Sequence, residues 1–77
     1  MAGLRNITSK QMVEFLKSKG FSELRQKGSH LSMFSPSTKH LTVVPMHGTK
    51  EIPIGTILSI LRSAGLSRKE LEEFLGR

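Results

Sequence analysis

The residues of this sequence best suited to chemistry are histidines set among cations. His30 follows Gly28-Ser29, with Arg25 and Lys27 just before that pair. His47 stands in Val44-Pro45-Met46-His47-Gly48, and Lys50 comes three residues later. An imidazole, with an unperturbed pKa of about 6.5, can take and give a proton near neutral pH. Cations beside it stabilise charge growing on phosphorus. The set suits phosphodiester cleavage in RNA, where the 2′-hydroxyl is the nucleophile, so no Ser or Cys nucleophile and no metal is required. His30 is therefore the candidate catalytic residue, Arg25, Lys27, Ser29, Lys50 and His47 are the candidate RNA contacts, and His47 is also a candidate for the second proton-transfer group. Plainer readings stand beside these: His30 as a polar residue on a wet strand, His47 as a loop histidine satisfying turn backbone, Lys50 as a solvated lysine. His40 is given no role. Three histidines, with no carboxylate between Glu23 and Glu51 and no Cys-x-x-Cys or His-x-x-Glu spacing, make a poor metal set.

These residues need elements to hold them. Thr8-Ser9-Lys10-Gln11 is a capping-box start, and Met12, Val13, Phe15 and Leu16 follow at helical spacing, with Gly20 as the stop and Phe21 as the apolar residue beyond it. This predicts a first helix over about 9–19. Ser22–Lys27 reads as a strand with Leu24 inward and Arg25 and Lys27 outward. Gly28-Ser29 is a tight turn, His30–Ser35 a second strand, Pro36–Lys39 a turn, and His40–Met46 a β-branched third strand. If Leu31 and Met33 face the core, His30, Ser32 and Phe34 share the opposite face with Arg25 and Lys27. Pro53 suits the first turn of a second helix, whose stripe of Ile54, Ile57, Leu58 and Leu61 is expected in the core and which Gly65 closes. Ser67-Arg68-Lys69-Glu70 is a capping box for a short third helix ending near Leu75. The order α-β-β-β-α-α predicts an α+β fold, a three-stranded antiparallel sheet covered by helices on one face, of the double-stranded-RNA-binding type.

The 77 residues have room for one domain, 1–77, with one small core. No apolar run approaches the ~20 residues of a membrane-spanning helix, and the start of the chain lacks signal-peptide order. With no cysteine to staple it, a cytoplasmic protein without a membrane partner is expected. The formal net charge is +6, all of it in residues 1–50, where eight basic groups face two acidic ones; residues 51–77 balance four against four. A one-sided basic field attracts polyanions, nucleic acid first among them. Ile57–Phe74, with its bend at Ala64–Ser67, has the outline of a DNA-binding helix-turn-helix, but Glu70, Glu72 and Glu73 on its second helix would repel phosphate.

From Phe21 to Leu71 the chain resembles the HicA mRNA interferase family. The resemblance is carried by Gly20-Phe21, Arg25-Gln26-Lys27-Gly28-Ser29-His30, Thr42-Val43-Val44-Pro45-Met46-His47-Gly48, Lys50-Glu51-Ile52-Pro53, Gly55-Thr56-Ile57, Ile60-Leu61-Arg62 and Ala64-Gly65-Leu66-Ser67, in the family's order. It implies cleavage of mRNA without metal or other cofactor, as the toxin of a type II toxin–antitoxin pair. It also implies His30 of Gly-Ser-His as the catalytic residue, and a HicB-type antitoxin covering the site. The strand Leu31-Ser32-Met33-Phe34-Ser35 is less basic than the family's usual second strand. Pro53-Ile54-Gly55-Thr56 stands where true double-stranded-RNA-binding domains carry lysines, which favours mRNA over long duplex as substrate. The alternative is a non-catalytic RNA-binding module, which would bind RNA and leave it whole.

Overall fold

Thr8 starts the first helix by the expected device: its hydroxyl accepts from the Gln11 N–H, and the Gln11 side chain accepts from the Thr8 N–H. A computed structural model describes residues 3–77, and in it α1 spans Ser9–Ser18. Its apolar side, Met12, Val13, Phe15 and Leu16, is buried. Gly20 ends it with φ +93°, and the Phe21 N–H reaches back to the Leu16 carbonyl at 3.0 Å, closing the helix as a Schellman turn.

Three antiparallel strands follow in sheet order β1 (Ser22–Lys27), β2 (His30–Phe34) and β3 (Leu41–Pro45). Leu31 pairs with Val44 and Met33 with Thr42, and these four are buried under the helices. His30 pairs with Pro45, Ser32 with Val43 and Phe34 with Leu41, which places these six on the open face. The fold therefore has the expected class and order, and β2 faces the expected way.

Two expectations fail. Leu24 is 62% exposed rather than inward. The register with β2 shifts between Glu23 and Arg25, leaving Leu24 as the extra residue of a β-bulge without a partner. Strict alternation breaks there and resumes at Arg25, so Arg25 still pairs with Ser32 and Lys27 with His30, as a shared face requires. On the helix side β1 has only Glu23 and Gln26, and Glu23 meets Lys17 of α1 at 3.0 Å. The second failure is in α2 (Ile54–Ala64), where Ile54 and Leu58 are exposed and the buried set is Ile57, Ile60, Leu61 and Ala64. The buried stripe of Ile57, Ile60, Leu61 and Ala64 is rotated about the helix axis from the expected one, so Ile54 and Leu58 fall on its exposed flank. Pro53 precedes that turn as the N-cap rather than lying inside it.

Gly65 stops α2 in the left-handed region at φ +69°. The space a Cβ would need there is filled: it would come within 2.3 Å of His40 Cε1. The His40 ring also bonds the Ala64 carbonyl, Nδ1 to oxygen 3.0 Å, so the residue given no role ties the end of α2 to the start of β3. Ser67 and Glu70 form the expected capping box of α3 (Arg68–Phe74), which buries Leu71 and sets Phe74 against Phe15 at 5.5 Å between ring centres.

Candidate RNA-cleavage site

The turn Gly28-Ser29 returns the chain so that His30 begins β2 on the open face, exposed, at the edge of the β2–β3 ladder. That end of the ladder is closed by the Met46 N–H on the Ser29 carbonyl at 2.6 Å. The next residue, His47, is held from the far side of the fold. Ser9, in the first turn of α1 and 1% exposed, donates its hydroxyl hydrogen to the Pro45 carbonyl, and the same oxygen accepts from the His47 N–H at 3.3 Å. One buried hydroxyl thus fixes the path of the His47 loop. The loop then turns at His47–Lys50, where the Lys50 N–H meets the His47 carbonyl at 3.3 Å. Glu51 pins its far end, its carboxylate accepting from the Asn6 N–H at 3.0 Å, and the Ile52 N–H reaches the Ile7 carbonyl at 2.8 Å.

The result is a hollow of about 490 Å³ lined by His30, Val43, Pro45, His47, Lys50, Glu51, Pro53 and Thr56. Three of the residues singled out by their chemistry, His30, His47 and Lys50, therefore meet at one place although they come from two separate stretches of sequence. Lys27 stands opposite His30 on β1, and Arg25 is one row further, opposite Ser32. Ser29 does not line the hollow; its carbonyl is engaged in closing the ladder. Arg25, Lys27 and Lys50 make no ion pair among the described residues, whereas Lys17 and Lys19 are taken up by Glu23 and Glu70. The three free cations all stand on or beside the open face. A phosphate entering there meets cations held in no ion pair, with Glu51, whose carboxylate accepts from the Asn6 N–H, as the acid lining the hollow.

Two contributors escaped the sequence reading. Ser9 looked like part of a helix start, and only the packing of α1 against β3 shows that its hydroxyl serves the His47 loop. Glu51 follows Lys50 directly, yet nothing in its neighbours signalled that Asn6 would anchor it at the rim of the hollow. Among the described residues no three His, Asp or Glu side chains gather as a metal-binding group. No helix among them is long and apolar enough to cross a membrane.

A search of curated proteins finds none that matches this chain. The family model described as HicA toxin of bacterial toxin–antitoxin matches residues 9–66, from the first turn of α1 to just past the end of α2, and so takes in every residue lining the hollow. With most of its length matched, the chain belongs to the HicA toxin family of bacterial toxin–antitoxin systems.

Proposed function

We propose that this toxin is an endoribonuclease that cleaves mRNA in the cytoplasm, without a metal, and so blocks translation. The observation that carries the reading is the meeting of His30, His47 and Lys50 in one hollow on the open sheet face. Cleavage of RNA by its own 2′-hydroxyl needs a base at that hydroxyl and an acid at the leaving oxygen. One imidazole takes the 2′-proton, the 2′-oxygen bonds to phosphorus, the bond to the 5′-oxygen breaks, and the second imidazole protonates that oxygen. The products are a 2′,3′-cyclic phosphate and a free 5′-hydroxyl. His30 is one member of the pair and His47 the other, and Lys50 with Lys27 stabilises the charge on phosphorus. Arg25, one row from Lys27 on β1, and Ser29, in the turn before His30, hold the strand that runs to and from the cleaved bond.

The antitoxin partner is of the HicB type and covers the His30 face, so antitoxin and RNA compete for it. The test is cleavage of a labelled mRNA fragment with chelator present, wild type against His30→Ala at equal concentration. Cleavage by the first and its loss in the second is the expected outcome. In wild type the rate should follow a bell-shaped pH profile, and His47→Ala should leave it one-sided. If RNA is bound but left whole by the wild-type chain, the protein is a binding module and the ribonuclease reading is wrong.

A further inference from the structure

A second hollow, of about 520 Å³, lies on the same open face, lined by Leu24, Arg25, Ser32 and Leu41. None of these side chains takes part in the proton transfers above. Its apolar part is made by Leu24 and Leu41, 62% and 49% exposed. Leu24 reaches that face only because the bulge leaves it out of alternation. Apolar side chains gathered in the open beside polar ones mark a contact surface.

Charge and position indicate what the surface contacts. The polar members of the hollow are a cation and a hydroxyl, no carboxylate lines it, and Lys27 stands on the same face two residues from Arg25. A flat apolar group joined to an anion suits such a surface, and a nucleotide is both. Position agrees. Ser32 pairs with Val43, and Val43 lines the His30 hollow, so the two hollows meet along one row of the sheet. His30 and Ser32 are two residues apart on β2, a step of about 6.6 Å, close to the reach of one extended nucleotide.

We infer that the Leu24–Leu41 hollow is a base-binding subsite for single-stranded RNA, seating a nucleotide next to the one cleaved at His30. The base lies against the two leucines and its phosphate meets Arg25. This rests on the reading of the His30 hollow as an RNA site and adds a seat for one unpaired base beside it. A duplex keeps its base faces stacked inside, so only unpaired bases can use the leucines. Apolar contact reads no base edge, and the subsite therefore tolerates any sequence.

The test uses binding, so that it does not depend on cleavage. A labelled single-stranded RNA of about eight nucleotides is titrated by fluorescence anisotropy against the His30→Ala chain, with and without Leu24→Ser. Leu24 is exposed, so the substitution removes no core contact. Leu24→Ser is expected to weaken binding about tenfold while leaving the salt dependence unchanged, since no phosphate contact is lost. Arg25→Gln should weaken binding and flatten the salt dependence. A scan with one abasic position should find a site whose loss weakens the Leu24 protein and not Leu24→Ser. Unchanged affinity on Leu24→Ser, or abasic losses equal in both proteins, overturns the subsite. So does loss of antitoxin binding with RNA affinity intact, which would give the hollow to the protein partner. A wild-type chain that binds but does not cleave fails the ribonuclease reading alone, and the binding arms still decide the subsite.

Discussion

Ser9 joins three elements through one oxygen, and its removal should be felt in two ways. Ser9→Ala leaves the Pro45 carbonyl and the His47 N–H without their partner in a half-buried setting. Loss of about 1–3 kcal/mol is expected, readable as a lower urea midpoint with unchanged slope. RNA cleavage should fall further than stability does under folded conditions, because the His47 loop loses its anchor; equal cleavage in the folded variant would show that the loop holds itself. Glu70 makes a separate prediction. The Ser67 N–H, then the Ser67 hydroxyl, then Lys19 hold its carboxylate below its ordinary pKa of 4.5 against a small opposing effect of burial. A carboxylate whose pKa falls on folding stabilises the fold above its unfolded value, and that contribution is lost as pH drops through the folded one. The stability advantage of wild type over Glu70→Gln should therefore be full above about pH 4.5 and shrink below it, and a constant difference across that range would contradict it.

At the scale of elements, the junction of α2 with β3 is the least forgiving. Gly65→Ala must place a Cβ at positive φ and against the His40 ring at once. The left-handed conformation alone costs roughly 1–2 kcal/mol for a residue with a Cβ, and the collision adds to it, so a loss of at least about 2 kcal/mol is expected in thermal or urea unfolding. His40→Ala should relieve the collision without relieving the backbone strain. None of this was legible in the sequence, where Gly65 read as a helix stop and His40 as nothing in particular, because the contact joins residues 25 apart. What was legible followed local rules. Both capping boxes, the Gly20 stop and the placing of Leu31 and Met33 come from hydrogen-bond and side-chain periods that act within a few residues. The same rules misplaced Leu24, since a bulge leaves no mark on composition, and misplaced Ile54 and Leu58, since helical spacing fits two overlapping apolar stripes and the buried one is Ile57, Ile60, Leu61 and Ala64. In the site, the residue types pointed to His30, His47 and Lys50, but only the loop held by Ser9 and Glu51 brings them to one hollow.

The charge of the whole molecule acts as a field rather than as contacts. The excess of +6 resides in residues 1–50, and Arg25, Lys27 and Lys50 are left without an ion pair among the described residues. If these three cations each neutralise a phosphate of a single strand, the slope of log affinity against log salt should be near −2, falling by about 0.7 with each cation removed. A slope near zero would mean that RNA is not held through its backbone. The sheet that carries this field is only three strands wide, and β1 is one of its free edges. A free edge leaves N–H and C=O groups unpaired, on which another strand can build. The bulge at Leu24 interrupts the row of edge hydrogen-bonding groups, and Glu23, Arg25 and Lys27 set charge along it. The irregularity that turns a leucine outward thereby also makes β1 a poor template for a strand of a second copy.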